Sequence, residues 1–356
     1  MRIAISSEAF YPAVDTDTRT VKAVLDHLID AGHDVLLLAP APGLADYRGA
    51  TVARITLLEG RGAQVREALL NFGAESLISV SPAKIGRKAL KHARRLDVPT
   101  LVVQASPVAT LDAEVWSRTV GARADRLVVT APWMKQRVAD LGVADAEVWE
   151  PGVDARAFTP ALRDAYLHDS YAKARSKGGA RIVVGHAGEL RRRHGVRRLV
   201  DAARVPGGRL VVIGEGPQRT WLENQVTDAK FTGALASGEL ATALASLDFL
   251  VQPSEIETCG HLVRAALASG VPVVAPNAGG SPGIVRDGET GLLYDPSEPK
   301  ALRRAVSHLL ADPELRTRLG VRARELSETR DWTVAATELL ELHLARAQQG
   351  KAIPAA

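Results

Sequence analysis

Short apolar runs alternate with longer amphipathic stretches along most of this chain, and the alternation starts afresh near its middle. A run too short for a helix yet apolar throughout suits a strand buried on both faces, and strands of that kind separated by helices build parallel sheets from βαβ units. The first half predicts strands at Ile3–Ser6, Val35–Ala39, Ser76–Val80, Thr100–Val103, Leu127–Val129 and Glu147–Trp149, with helical patterns such as Arg19–Ala31 and Ile85–Leu96 between them. The second half predicts strands at Arg181–Gly185, Arg209–Ile213, Lys230–Thr232, Phe249–Val251 and Val271–Ala275, followed by a helical tail over Pro299–Gln348. The polar, Lys/Arg-rich segment Thr159–Gly179 reads as the crossover between the halves. The fold class is therefore α/β, with two doubly wound, Rossmann-like domains. Such domains hold ligands at the carboxyl ends of their strands, in the cleft between them.

Bulk properties fit this reading and exclude others. At 356 residues the chain is too long for one ordinary core. Its net charge of +4 is small beside 45 basic and 41 acidic residues, and aromatics make up only 4%, which argues against nucleic acid as a partner. The single cysteine, Cys259, rules out an intrachain disulfide and any cysteine-based zinc cluster, as in reducing cytoplasm. The N-terminus enters a strand pattern at Arg2 without a signal-peptide core, and no apolar run nears the ~18 residues of a membrane span. A cytoplasmic location is expected, with peripheral membrane contact left open.

The stretch Pro253-Ser254-Glu255-Ile256-Glu257-Thr258-Cys259-Gly260, followed by Ala268-Ser269-Gly270-Val271-Pro272, carries the chemistry. Around it, in order, stand Glu8-Ala9-Phe10-Tyr11-Pro12, Ala31-Gly32-His33-Asp34, Gly152-Val153-Asp154, Gly214-Glu215-Gly216-Pro217, Phe231-Thr232-Gly233, Gly279-Gly280 and Thr290-Gly291-Leu292-Leu293. In this order and spacing the motifs resemble the retaining GT-B glycosyltransferases, most closely the GDP-mannose-type α-mannosyltransferases of glycosyltransferase family 4. The resemblance covers most of the chain. It implies an acceptor-side domain over 1–155, a donor-nucleotide domain over 156–330 and a C-terminal helix over 331–356 that returns toward the first domain, with Trp332 at its start. It also implies a nucleotide-sugar donor as co-substrate, GDP-linked by preference, with no cofactor and no metal. Transfer in this group resembles a front-face displacement in which the leaving phosphate accepts the acceptor's proton, so no nucleophile–His–Asp arrangement is required, and none is found.

Carried over position by position, the resemblance implies Glu257 as the donor-sugar carboxylate and Gln104 beside it as catalytic residues. The donor is assigned Thr16, Gly188, Arg191, Arg192, His194, Glu215, Thr258, Cys259, Gly260 and His261, and the acceptor side Glu8, Arg19 and Trp133. Four positions depart from the family pattern. Asp15-Thr16-Asp17 replaces a Gly-containing loop and brings two carboxylates that repel phosphate, Glu189 stands where the family has a phosphate-binding Arg, His194 replaces a Lys, and Ala265 replaces a ribose-binding Glu. Truncating a buried charged partner costs about 2–5 kcal/mol and reversing one costs more, so Glu189 is expected to destabilise the donor as usually bound. The Arg191–Arg198 cluster is a solvated helix face, a compensating phosphate clamp or a surface for an acidic protein partner. The chain is also shorter than its relatives between Ala50 and Ser76, on the acceptor side. Three readings follow: a diverged retaining transferase acting on an unusual small-molecule acceptor such as a specialised metabolite or a thiol; a non-catalytic homologue acting as a binding or partner subunit; and a sugar-nucleotide epimerase. A homo- or heterodimer is compatible with each.

Overall fold

The computed structural model describes residues 1–12, 15–56, 60–173 and 181–352. The chain forms two compact units, Met1–Gly152 with Trp332–Ala356, and Val153–Asp331. The first unit holds strands β1 (Arg2–Ser6), β2 (Asp34–Pro40), β3 (Asp46–Tyr47), β4 (Ala50–Ile55), β5 (Ser76–Val80), β6 (Thr100–Gln104), β7 (Arg126–Val129) and β8 (Glu147–Val148). Its helices in the first 152 residues are α1 (Thr16–Asp30), α2 (Arg61–Phe72), α3 (Gly86–Arg95), α4 (Ala113–Thr119) and α5 (Pro132–Ala139). The second unit begins with α6 (Ala165–Ala172) and β9 (Ile182–Ala187), and continues with α7 (Leu199–Ala203), β10 (Gly208–Ile213), α8 (Arg219–Gln225), β11 (Lys230–Gly233), α9 (Ser237–Ala245) and β12 (Phe249–Val251). It closes with α10 (His261–Ala268), β13 (Val273–Pro276), β14 (Gly291–Tyr294), α11 (Ala301–Ala311) and α12 (Pro313–Glu328), after which α13 (Trp332–Glu338) and α14 (Ala345–Ala352) return to the first unit.

Each sheet is wound outward in both directions from an inner strand. The first runs β3-β4-β2-β1-β5-β6-β7-β8, parallel except for the short β3–β4 pair, and the second runs β11-β10-β9-β12-β13-β14, parallel throughout. The winding therefore reverses between β1 and β5 in one unit and between β9 and β12 in the other, and open parallel sheets bind ligands outside such reversal points. The strands at the reversal points are apolar runs packed on both faces, as their unbroken burial shows for Ile3–Ser6, Ser76–Val80 and Val183–Ala187.

The predicted strands are present, most with ends shifted by a residue or two. Unpredicted are β3, β4 and β14. The Ala50–Ile55 strand contains Thr51 and Arg54 and lies outside the continuous-run pattern that marks the others. Thr159–Gly179 is more ordered than a plain crossover, because Ala165–Ala172 is helical behind an Asp164 cap that accepts from the Leu167 N–H at 2.7 Å; the part over 174–179 lies outside the described residues. The tail is anchored in the first unit by Trp149, fully buried, whose Nε1–H donates to Ala335 O at 2.8 Å and whose ring lies 6.3 Å from that of Trp332.

In the second unit the loops after the strands are fastened main chain to main chain. A Cβ on Gly214 (φ +141°) would overlap the Gly188 carbonyl, and one on Gly216 would press on the Leu190 backbone. Leu190 N–H meanwhile donates to Glu215 O at 2.8 Å and Gly188 N–H to Ile213 O at 2.9 Å. Gly214→Ala should therefore destabilise the second unit by at least about 2 kcal/mol through combined strain and displacement, read as a lower urea midpoint at unchanged m.

Candidate functional site

The reversal point of the second sheet gathers most of the predicted donor residues. After β9 the chain turns through Gly188-Glu189-Leu190 into Arg191–His194, and after β12 it passes through Pro253–Gly260 into α10. A Cβ on Gly195 would overlap Pro253 O, so the two loops touch through backbone. The Glu255–Thr258 turn is held from its other side by Gly279 and Gly280, where added Cβ atoms would crowd the Glu255 and Glu257 backbone, and Gly280 N–H donates to Glu257 O at 2.8 Å. Glu257 Oε1 accepts from the N–H groups of Thr258 (3.0 Å) and Gly260 (3.2 Å), which fixes the carboxylate at the start of α10. His194 lies within electrostatic reach of Glu257 and stands 3.8 Å from Glu189. Burial, then Arg193, pushes His194 below the ordinary histidine value, so its imidazole is neutral at neutral pH.

Around this turn the carboxyl ends of four neighbouring strands carry buried polar atoms with no hydrogen-bond partner among the described residues. They are His186 Nε2 on β9, Ser254 Oγ after β12, Ser281 Oγ after β13 and Tyr294 Oη on β14. His186 Nδ1 is 3.0 Å from Val251 O, and burial holds this imidazole's pKa down at about 4. Buried polar groups are nearly always satisfied, so a ring of orphans marks a place prepared for polar ligand atoms. Ser254, Ser281 and Tyr294 were not singled out from the sequence; their position directly beside the Pro253 signature, the Gly279-Gly280 pair and the Gly291-Leu292-Leu293 run was the available signal.

The arginine cluster is mostly committed to neighbours. Arg191 pairs with Glu189, Arg198 with Glu255 (2.6 Å), and Arg197 donates to Gln218 at 2.8 Å while lying over the Trp221 ring. Arg193 reaches His194 at 3.2 Å. Arg192 is exposed and forms no ion pair or side-chain hydrogen bond with the described residues. Two expectations change accordingly. Glu189 does not present an uncompensated negative charge, since Arg191 pairs with it, and the Arg191 guanidinium is for the same reason already engaged, whereas that of Arg192 is not.

Other assigned residues have structural duties. Glu215 pairs with Arg219, and its carbonyl accepts from the Leu190 N–H. Cys259 is fully enclosed, which limits it to main-chain contacts, while Thr258 is buried and His261 opens α10 half-exposed. Ala265 is packed in the core beneath α10, among Val263 and Leu267, where no carboxylate could stand unpaired.

Of the residues expected on the acceptor side, Glu8 and Arg19 follow β1 at the first unit's reversal point, whereas Trp133 follows β7. Glu8 is a structural anchor: its Oε1 accepts from the N–H groups of Ala83, Ile85 and Gly86 at 2.8–2.9 Å, capping the start of α3. Gln104, 4% exposed, bridges its loop to α4: its Nε2–H donates to Ser106 O (2.6 Å) and its Oε1 accepts from Trp116 Nε1–H (3.0 Å). Trp133 packs against this unit's core, Thr16 lies exposed at the start of α1, and burial lowers the pKa of Arg19 one turn further on. Asp17, which the sequence reading counted only as a repulsive charge, is the unforeseen feature. Its Oδ1 accepts from Ser81 Oγ (2.9 Å) after β5 and Ser106 Oγ (3.2 Å) after β6. Burial, helped by Asp15 and Glu8 and opposed by the two serines, raises its pKa to about 6.

Two units of this topology, with a Glu-bearing turn and Gly-fastened loops at the reversal point of the second, define a glycosyltransferase of the GT-B fold. Among solved structures, sucrose-phosphate synthase from Thermosynechococcus elongatus superposes with a TM-score of 0.79 at 22% identity, over 96% of this chain and 98% of that one. Anabaena HepE in complex with UDP gives 0.81 at 18% identity over 96% and 99%. Residues 169–326 match the family model "Glycosyl transferases group 1". Over 96% of both chains the sequence is 34% identical to the GDP-mannose-dependent alpha-mannosyltransferase of Mycolicibacterium smegmatis, and it is 31% identical to the enzyme of that name from Corynebacterium glutamicum over 96% of this chain and 88% of that one. The chain belongs to the group 1 glycosyltransferases, alongside these mannosyltransferases.

Asp17 gives a pH-dependent test of the first unit. Its folded pKa lies above the unfolded value, so the native state binds the extra proton between about pH 4 and pH 6 and loses stability as pH rises through that window. Asp17→Asn should raise stability by about 1–3 kcal/mol near pH 7.5, with the gain gone by about pH 4, in urea titrations across pH.

Proposed function

We propose that this glycosyltransferase transfers a sugar from a GDP-linked donor, mannose by preference, to an acceptor hydroxyl with retention at the anomeric carbon. The observation that carries this reading is the Glu257 turn, fixed at the sheet reversal point and ringed by the orphaned atoms of His186, Ser254, Ser281 and Tyr294. Full-length similarity to enzymes named for GDP-mannose supports the choice of base and sugar. Glu257 accepts hydrogen bonds from the donor sugar's hydroxyls, its carboxylate oriented in advance by two backbone N–H groups. Arg192 supplies a guanidinium for the diphosphate, with the neutral His194 as a hydrogen-bonding neighbour. The acceptor oxygen bonds to the anomeric carbon on the face from which the diphosphate departs. The carbon–phosphate-oxygen bond breaks in the same event, and the departing phosphate oxygen takes the acceptor's proton.

Calorimetric titration with GDP, UDP, ADP and GDP-mannose tests this reading. GDP and GDP-mannose should bind and the other two should not. Glu257→Ala should weaken GDP-mannose by about 10–100-fold, the value of hydrogen bonds to a charged group, and leave GDP unchanged. Arg192→Ala should weaken both ligands alike. Equal affinity for all nucleotides, or none for any, overturns the donor assignment; the latter result is the one expected of a non-catalytic homologue.

A further inference from the structure

Three neighbouring strands of the first sheet, β1, β5 and β6, bring their carboxyl ends together on one acid. Asp17 opens α1 after β1, Ser81 follows β5 and Ser106 follows β6. The Ser81 hydroxyl is fully used: it donates to Asp17 Oδ1 (2.9 Å) and accepts from the N–H groups of Ala105 (3.2 Å) and Ser106 (3.0 Å). The one hydroxyl proton of Ser106 is also nearer to Oδ1, at 3.2 Å between oxygens against 3.5 Å for Oδ2. An ionised carboxylate accepts at about four positions. Oδ2 is therefore left without a short hydrogen bond, on a side chain that is only half-buried. Beside it Thr18, 1% exposed, has an Oγ1 without a hydrogen-bond partner among the described residues.

The charge on Asp17 is as unmatched as its second oxygen. Among the described residues no Lys, Arg or His forms an ion pair with it. The charged side chains that act on it, Asp15 and Glu8, are acids as well, and both are occupied. Asp15 accepts from the Thr18 N–H at 2.8 Å, and Glu8 holds three N–H groups at the head of α3. Arg19 answers to burial and to Tyr11. Fastening the ends of β5 and β6 does not call for a carboxylate, because the amide oxygen of an Asn would accept from the same two serines with no charge to bury. The charge and the open oxygen are what fastening leaves unexplained, and they stand where an open parallel sheet holds its ligand. A ligand hydroxyl would satisfy the oxygen and leave the charge unbalanced; an ammonium group satisfies both.

We propose that Asp17 selects the acceptor, its Oδ2 receiving an ammonium group carried near the hydroxyl that is glycosylated, so that the acceptor is an amino sugar or other amino alcohol. This rests on the transferase reading above and adds the acceptor's class to it. Glucosamine, glucose and N-acetylglucosamine are a matched set of probes, presenting an ammonium, a hydroxyl and a neutral amide at one carbon. The full chain saturated with GDP is titrated calorimetrically with each. Glucosamine should bind about 10–100-fold more tightly than the other two, the value of a hydrogen bond between charged groups. Asp17→Asn, expected to fold more stably at neutral pH, should erase that preference while still binding GDP-mannose. Near pH 6, where Asp17 is part protonated, glucosamine should displace a proton from it. The heat of binding to the wild type should then vary with the ionisation enthalpy of the buffer, and that dependence should vanish in Asp17→Asn. GDP-mannose titration of the same samples tells the two readings apart. Where the wild type binds GDP-mannose, equal affinity for the three probes, affinity for none, or an undiminished preference in Asp17→Asn overturns the amine assignment alone. Failure of the wild type to bind GDP-mannose brings down the donor reading, and this one with it.

Discussion

The close approach of main chain to main chain in the second unit is the constraint on which the rest of the site depends. Gly214 and Gly216 let one loop lie directly on the backbone of Gly188–Leu190, and Gly279 and Gly280 do the same for the turn bearing Glu257. Main-chain contacts of this kind are indifferent to the side chains that the loops carry. Charge can therefore be rearranged on the surface of the loops while their path stays fixed. Glu189 and Arg191 illustrate this, for together they place a neutral pair on a loop whose backbone is held by Ile213 O and Glu215 O.

The two reversal points are built by opposite devices. In the second unit glycines remove side chains to bring loops together, whereas in the first unit buried polar side chains tie separate loops to one another. Glu8 gathers three N–H groups at the head of α3, and Asp17 joins the ends of β5 and β6 through Ser81 and Ser106. Ser81 adopts φ +43°, outside the usual range for a residue with a side chain, and its Oγ also accepts from the Ser106 N–H at 3.0 Å. A carboxyl kept this far above its ordinary pKa opposes folding at neutral pH. Proteins tend to keep such features where function uses them.

Much of the architecture was legible because buried parallel strands must be apolar throughout, and the runs at Ser76, Phe249 and the rest could adopt no other solvated form. The Glu257 signature was legible for a related reason: glycines at fixed spacing and an acid at a helix start leave a local trace. Pairings made only by the fold left none. Nothing in the order of residues says that Arg191 would cancel Glu189, that Trp116 would occupy Gln104, or that Ala265 would be enclosed by the core. Asp17 was misread because its partners lie 64 and 89 residues away. The Ala50–Ile55 strand was missed because Thr51 and Arg54 interrupt its apolar run.

The chain leaves the first unit at Gly152 and returns at Trp332, with Val153 and Asp331 bridged side by side at the two crossings. The buried indole of Trp149 finds its acceptor at Ala335, 186 residues later. On a ribosome, which delivers the chain from the N-terminus, the first unit therefore waits longest: its sheet can assemble early, yet the helix that covers Trp149 is made only after the whole second unit has emerged. The half of the protein that begins first is the half that is finished last.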